Sequence, residues 1–296
     1  MITLVRLIFL SLSRLPLAVL YAITDVLYFI VYRGFGVNRK LTEKNLGNSF
    51  PDKNAREIRQ LGNQAARNLL NVGAEIIKGL SISEEQLRRR FSVKNAESVN
   101  RYFDQGQSVI IIAAHHCNWE WVLFAASIDL KAPMDALFEP LHYPSIDRLF
   151  LNSRTRFGAN MISAMGGIKE LVKTGKPVRA IGIVGDQGPG PQERKYWMQF
   201  LNQDTAFYES IQTIIRLTKS PVFFVRMKRV QRGFYEIQLD EVATPPYGKD
   251  MAALENYVRA LEAHIKEYPA DWMWAYRRWR YDRGIDARYP RRHRIR

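Results

Sequence analysis

The sequence predicts an α/β fold with a mixed, mostly parallel sheet flanked by helices and preceded by an N-terminal membrane-associated helix. Three observations predict it. Short β-branched runs at residues 108–114 and 178–184 are typical of strands buried on both faces. Helical spacing of apolar residues separates the strands, most clearly at 53–79. An apolar stretch, residues 4–32, comes before all of them. Strands that alternate with helices indicate parallel neighbours in one sheet.

The apolar stretch at residues 4–32 is long enough to span a bilayer as a helix. Arg14, Pro16 and Asp25 interrupt it, and charges near a bilayer centre are unfavourable. It lacks the small-residue cleavage site of a signal peptide. Three structures stay open: a tilted or kinked transmembrane helix, an interfacial helix or hairpin in one leaflet, and an apolar helix folded onto the protein's own core.

The elements of the globular region are predicted in order from apolar spacing and from turn residues. Ser83 with Glu84 and Glu85 is typical of a helix start, and Pro269 ends the last helix. The predicted helices cover 53–79, 83–90, 118–128, 145–156, 167–174, 210–218 and 250–267, and the predicted strands cover 108–114, 134–138, 178–184, 221–227 and 235–239.

The charge balance indicates an anionic partner. The chain has 44 lysines and arginines against 29 acidic residues, a net charge of +15. Nine arginines lie within residues 277–296. With the apolar N-terminus this surplus favours an anionic membrane surface, and no zinc-finger, helix-turn-helix or RNP signature supports nucleic acid. The single cysteine excludes a cysteine-rich zinc site. We expect an anchor or interfacial helix at 1–33, one large domain at 34–283 and a basic tail at 284–296.

Chemistry-bearing side chains follow the first buried strand directly. His115 and His116 end it, and Glu120 lies in the next helix. Ligands bind at the carboxyl ends of strands in open α/β sheets. A histidine there can act as a general base, and a nearby carboxylate can fix its tautomer. Helix geometry favours His116 with Glu120, four residues apart, whereas His115 can meet Glu120 from the preceding turn. Spacing alone leaves both histidines open, and a purely structural pair as well.

The segment His115–Glu120 reads H-H-C-N-W-E and resembles the H-x4-D/E motif of the bacterial lipid A biosynthesis lauroyl/myristoyl acyltransferases, within the lysophospholipid acyltransferase-like superfamily. Four further blocks resemble that family in the same order along the chain. They are N-L-G-N-S-F-P at 45–51, E-P-L-H-Y-P at 139–144 with R-T-R-F-G at 154–158, D-Q-G-P-G-P at 186–191, and the tryptophan-rich and arginine-rich block at 268–279.

The resemblance implies a glycerol-phosphate acyltransferase-like fold and O-acyl transfer from an acyl thioester to a lipid hydroxyl, most simply in lipid A (lipopolysaccharide) biosynthesis. Acyl carrier protein is the favoured donor and CoA the second, and the reaction needs no metal or organic cofactor. The resemblance selects His115 as base and Glu120 as its orienter. It further implies substrate-binding or oxyanion roles for Arg154, with Arg156 as the alternative, and for Asp186, Gln187 and Asn118.

The resemblance also implies a place in the cell, namely the bacterial inner membrane with the catalytic domain on the cytoplasmic side. Three positions depart from the family's pattern. Glu139 stands where the family commonly has arginine, A-F-Y-E at 206–209 replaces a common turn and bears on the acyl or acceptor pocket, and Tyr276 replaces the usual histidine of the last block. Two alternatives therefore remain. One is acylation of another lipid, such as an ornithine or glycine lipid, a lysophospholipid or a glycolipid. The other is a non-catalytic protein that binds anionic membranes.

Overall fold

The central feature of the fold is a seven-stranded sheet. The computed structural model describes residues 2–166, 168–173 and 177–286. The strands of the sheet are β1 (Phe91–Val93), β2 (Val109–Ala113), β3 (Met134–Phe138), β4 (Asn160–Ser163), β5 (Ala180–Val184), β8 (Val222–Gln231) and β9 (Phe234–Ala243), and β6 (Lys195–Phe200) pairs with β7 (Gln203–Tyr208) in a separate hairpin.

The strand order is β1-β9-β8-β2-β5-β3-β4. Strands β8 and β9 form an antiparallel hairpin, and the other pairs of this sheet are parallel. The prediction of an α/β fold with a mixed, mostly parallel sheet is confirmed. Strand β2 lies at the centre with all five residues buried, as expected for a strand covered on both faces.

Helices cover both faces of the sheet. They are α1 (Ile2–Arg14), α2 (Leu17–Leu27), α3 (Arg39–Ser49), α4 (Ala55–Gly79), α5 (Glu84–Arg88), α6 (Glu97–Asp104), α7 (Trp119–Asp129), α8 (Pro144–Arg154), α9 (Ile168–Leu171), α10 (Glu209–Thr218), α11 (Ala252–Glu267) and α12 (Arg283–Asp286). One apolar core contains Trp121 and Phe124 of α7, and a second contains Ile215 of α10 and Tyr257 of α11. Of the predicted basic tail, residues 287–296 lie outside the described part of the chain.

The N-terminal stretch forms two helices rather than one. The break falls at Pro16, after which α2 continues into a π-helical turn at Tyr28–Gly34. Both α1 and α2 pack on α4. Lys78 of α4 donates to the carbonyls of Ser13 and Leu15 at 2.9 and 3.1 Å, which satisfies carbonyls left open at the end of α1. Inward-facing side chains of the stretch therefore belong to the protein's core.

The outward face of the same helices is apolar. Val26, Phe29 and Ile30 are at least half exposed, at 56%, 59% and 50%. Leu17–Gly34 is long and apolar enough to cross a membrane, and a third of it is buried inside the protein. Asp25, which interrupts the apolar sequence, pairs with Arg232 at 2.9 Å. One face thus packs on the domain, while the other presents an apolar surface larger than scattered single residues would give.

Candidate active site

The carboxyl edge of the sheet brings His115 and Asp186 together. Parallel pairing of β2 with β5 sets Ala113 opposite Val184, so the residues two positions further along each strand meet. His115 Nδ1 lies 2.7 Å from Asp186 Oδ1. The backbone N–H of His115 donates to Asp186 Oδ2 at 3.0 Å. Asp186 therefore orients both the ring and the main chain of His115.

Asp186 is a buried carboxylate held in its ionised form. Burial alone would raise its pKa, but the charge and hydrogen bonds of His115 and the indole of Trp272 hold the pKa below its usual value. Trp272 Nε1 donates to Oδ2 at 2.8 Å. Because Oδ2 accepts two N–H groups and Oδ1 faces the ring, an ionised Asp186 favours the His115 tautomer that carries its proton on Nδ1.

The other ring nitrogen of His115 then carries the lone pair. Gln187 Nε2 lies 3.2 Å from His115 Nε2 and donates to it in that tautomer. The ring of Trp119 packs beside the imidazole, with centroids 4.8 Å apart. The side chain of His115 is 17% exposed, so a substrate hydroxyl can reach Nε2 by displacing the amide of Gln187.

His116 occupies a different environment. It is buried, its Nε2 donates to the carbonyl of Tyr268, and its ring stacks on His264 with centroids 4.3 Å apart. Burial lowers the pKa of His116 to about 4. The site cavity is lined by His115 and not by His116. A neutral, enclosed His116 packs the loop, whereas His115 faces the space where a substrate can lie.

Glu120 does not orient His115, contrary to the expectation from the H-x4-E spacing. Glu120 forms a two-pronged ion pair with Arg154, whose Nε and Nη2 lie 2.9 and 2.5 Å from its two oxygens. Glu120 is the second residue of α7, and its carboxylate reaches Arg154 at the end of α8. Both partners line the cavity. Glu120 therefore fixes Arg154 at the site, and Asp186 takes the orienting contact.

Two other expected site residues point away from the cavity. Asn118 is fully buried; its side chain caps α7 by accepting from the N–H of Trp121 at 3.1 Å. Arg156 donates to the carbonyls of Gly79 and Ile82, at 2.7 and 2.8 Å. Both use their polar atoms within the protein, and neither lines the cavity. Their expected contacts with substrate are replaced by roles in holding α7 and the end of α4.

A buried carboxylate that no sequence motif indicated supports the segment between β2 and α7. Glu75 of α4 accepts from Tyr21, Tyr235 and Asn118 at 2.8, 2.5 and 2.8 Å. It connects an N-terminal helix, the hairpin β8–β9 and the cap of α7. Burial raises its pKa. Its position three residues after Val72, on the apolar stripe of α4, was the available signal, since charge there demands partners inside the protein.

The site opens into an apolar cavity of about 470 Å³. Small and flexible side chains line it, among them Ala113, Ala126, Met134, Ala136 and Met161. Gly182 in the middle of β5 also lines it. A Cβ at Gly182 would lie 3.1 Å from Met134 Sδ and 3.4 Å from Ala136 Cβ. The missing side chain therefore keeps this part of the cavity open, and its lining suits a hydrocarbon chain.

The arrangement has the parts of a general-base site. It combines a histidine whose Nε2 carries a lone pair, a carboxylate that orients the ring, a fixed arginine and a largely apolar cavity. Across residues 2–166, 168–173 and 177–286, no group of three or more His, Cys, Asp or Glu side chains could hold a metal ion. The fold and site together define a class of α/β proteins with a histidine–aspartate pair at the carboxyl edge of the sheet, beside a largely apolar cavity.

Sequence comparisons assign the chain to a family of that class. The pattern of the family described as bacterial lipid A biosynthesis acyltransferase matches residues 1–281. The chain belongs to this family. It is also similar to a lipid A biosynthesis acyltransferase of Haemophilus influenzae, with 21% identity over 197 residues. That match covers 65% of this chain and 60% of the relative. The resemblance stated from the motifs is therefore confirmed.

Proposed function

We propose that the protein is an O-acyltransferase that moves a fatty acyl chain from an acyl thioester to a hydroxyl of a lipid in lipid A biosynthesis. The observation that carries the proposal is the His115–Asp186 pair, whose basic ring nitrogen Nε2 lies at a cavity lined in large part by apolar side chains. Family membership supports the same reaction class.

The proposed reaction is a general-base acyl transfer. Nε2 of His115 takes the proton of the acceptor hydroxyl as its oxygen attacks the thioester carbonyl. The resulting imidazolium is stabilised by the Asp186 carboxylate at Nδ1. When the tetrahedral intermediate collapses, the C–S bond breaks and the thiolate leaves with the proton that His115 returns. An ester and a free thiol are the products, and the base is regenerated.

Two donors are placed to stabilise the negative charge of the intermediate. The guanidinium of Arg154 is held at the cavity by Glu120, and the amide of Gln187 lies beside His115 Nε2. Arg154, which is fixed before the reaction, stabilises a developing oxyanion without rearrangement, and Gln187 donates to the oxyanion once its amide has moved off His115 Nε2. This gives Glu120 a role different from that of an orienter, since it sets the direction of Arg154. The acyl chain lies in the apolar cavity over Ala136 and Gly182.

The donor is an acyl thioester of acyl carrier protein in this proposal, with acyl-CoA as the alternative, and the protein acts at the cytoplasmic side of the bacterial inner membrane. The apolar outward face of α2 supports membrane contact. A helix that packs one face on its own domain and exposes an apolar other face suits a position in the plane of the interface. The net charge of +15 favours anionic lipids there.

Acyl transfer by the purified full-length chain tests the function. The assay supplies an acyl thioester of acyl carrier protein and a lipid A precursor and detects the ester by mass spectrometry. His115→Ala is expected to lower the rate by about 10² to 10⁴-fold because the base is lost. His142→Ala is the matched control, since His142 is exposed in the loop before α8 and does not line the cavity. Equal rates for wild type and His115→Ala would refute the proposal.

Binding to vesicles of phosphatidylethanolamine and phosphatidylglycerol tests the membrane contact. Val26→Asp with Ile30→Asp places two charges on the exposed face of α2 and the turn after it, and we expect about tenfold weaker binding or more, because each side chain contributes about 1.5 kcal/mol when buried. Leu217→Asp on α10, 57% exposed in the wild type, is the control and should bind as the wild type does. Unchanged binding of the double variant would contradict contact through this face.

A further inference from the structure

Arg278 is a buried cation that the proposed reaction does not use. Its side chain is 2% exposed, and its Nε, Nη1 and Nη2 have no hydrogen-bond partner among the residues that the structure describes. The guanidinium carbon lies 4.5 Å from the ring centroid of Phe207, a geometry that favours a retained charge. Burial lowers the pKa of Arg278 to about 10, so the group is charged at neutral pH. A charge buried without a hydrogen-bond partner is destabilising, and its presence therefore indicates a role for Arg278 in the site.

The position of Arg278 gives it a use. A Cβ on Gly188 would lie 3.4 Å from Arg278 Nη1, so the guanidinium rests against the loop that carries Asp186 and Gln187. The neighbouring Arg280 donates to the carbonyl of Pro189 in the same loop at 2.7 Å. Trp272, before the buried cation, donates to Asp186 of this loop at 2.8 Å, so the C-terminal segment is attached to the loop on both sides of Arg278.

The charges around this cation leave Asp186 as its anion. Attraction between Asp186 and Arg278 favours the charged form of Arg278. Tyr257 and Tyr208 stay neutral because burial raises the pKa of both. Other titratable and charged groups surround Asp186 and Arg278. They are His115 and His116 after β2, Tyr208 at the end of β7 with Glu139 and Glu193 beside it, Tyr257 of α11, and Tyr276 and Arg280 of the C-terminal segment.

We propose that Arg278 is a positioning residue whose buried charge adds to the contacts of His115 and Trp272 in keeping Asp186 ionised, so that Asp186 holds His115 with its proton on Nδ1 and its lone pair on Nε2. The inference rests on the proposed function of His115 as the base. Removing Asp186 from water favours its protonated form, and a cation in the same dry environment opposes that effect. A protonated Asp186 would donate to Nδ1 and destroy the tautomer on which the base depends.

The pH dependence of kcat/KM tests this role. The probe is the transfer from acyl carrier protein thioester to a lipid A precursor, measured from pH 5 to 9 with full-length chain. Arg278→Met should move the acid limb of the profile to higher pH by about one unit, since a unit charge in a partly dry site has an effect of that order. Arg278→Lys keeps the charge and should retain a profile close to that of the wild type. Arg277→Gln, exposed on the same segment, is the matched control and should leave the acid limb unchanged.

A purely structural role would lower the rate at every pH by the same factor and leave the acid limb in place, and that result for folded Arg278→Met would overturn the proposal. Infrared difference spectra of wild type against Asp186→Asn at neutral pH provide a second measurement that needs no Arg278 variant. Loss of a carboxylate band on substitution supports the proposal, and loss of a protonated-carboxyl band overturns it. Failure of the proposed function has a different signature, namely a wild type without transfer or a fully active His115→Ala.

Discussion

Asp186→Asn is a nearly isosteric change that separates the orienting role of Asp186 from its place in the packing. In the wild type, Oδ2 accepts from the His115 backbone N–H at 3.0 Å and from Trp272 Nε1 at 2.8 Å, while Oδ1 faces His115 Nδ1 at 2.7 Å. The amide oxygen of asparagine must take the Oδ2 place, because two donors converge there. Its NH₂ group must then point at Nδ1.

That orientation reverses the tautomer of His115. An NH₂ group facing Nδ1 requires Nδ1 to accept, so the ring proton moves to Nε2 and the lone pair needed by the reaction is lost. The comparable change in a serine-protease triad lowers kcat by about 10⁴-fold, and we expect a loss of about 10³ to 10⁴-fold here. The melting temperature should change little, since the hydrogen-bond count and volume are retained.

The assay compares kcat of Asp186→Asn with that of Glu120→Gln in the same acyl-transfer reaction. Glu120 contacts Arg154 and not His115, so Glu120→Gln should lose a smaller factor, about 10 to 10²-fold, through a less well fixed arginine. A larger loss for Glu120→Gln than for Asp186→Asn, with both variants folded, would refute the assignment of Asp186 as the orienter and return that role to Glu120.

Two further results are expected. Gly182→Val should shift the preferred acyl chain to a length shorter by about two methylene groups, because the new side chain fills space next to Met134 and Ala136 and a methylene in an apolar pocket changes rates by about tenfold or more. The preference is measured as product masses from a mixture of acyl donors. An unchanged preference would contradict this placement of the chain. The free energy of unfolding should fall as the pH drops from about 6.5 towards 4, by on the order of 3 kcal/mol for His116. Burial lowers the pKa of His116 to about 4 and that of His264 to about 3, so the unfolded state binds protons at a higher pH than the folded state. Denaturant titrations measure this free energy, and a value that does not change with pH would contradict the prediction.

Much of the fold follows from patterns that are local in the sequence. The buried run at 108–114 and the segment 134–138 became β2 and β3 almost residue for residue, and the apolar spacing of 53–79 became α4. The apolar composition of buried parallel strands and the apolar spacing of amphipathic helices indicate how each element is buried. Of the helix predicted at 167–174, α9 covers Ile168–Leu171, and residues 167 and 174 lie outside the described part of the chain.

The missed strands lack a clear local pattern of buried and exposed residues. The hairpin β6–β7 alternates only partly between buried and exposed residues, and its pairing joins polar residues such as Gln199 and Asp204. Strand β1 has three residues, and it pairs with β9 more than a hundred residues later. Such short strands are fixed by tertiary contacts rather than by propensity.

The site shows the same division. The family resemblance implied His115, Glu120, Arg154, Asp186 and Gln187, which line or adjoin the cavity, and also Arg156 and Asn118, which do not. The motifs did not identify which of these side chains contact one another. The contact between His115 and Asp186 is set by the register of β2 on β5, which no local pattern records. Glu120, the expected partner of His115, instead pairs with Arg154 of α8.

The N-terminal stretch shows a further limit of sequence. Apolar length permitted a spanning helix, an interfacial helix or a core helix. The packing of α1 and α2 on α4, with Tyr21 bonded to Glu75 at 2.8 Å, shows that part of the stretch is core. The exposed side chains on the opposite face are those on which the proposed membrane contact depends.

Mass spectrometry of total lipids from a deletion strain tests most directly whether the protein acylates lipid A with His115 as its base. We expect that one lipid A acyl group disappears in the deletion strain, returns with the wild-type chain, and stays absent with His115→Ala expressed at equal level. The missing mass would also name the acyl chain and its acceptor. A lipid profile unchanged by the deletion, or restored by His115→Ala, would contradict the account.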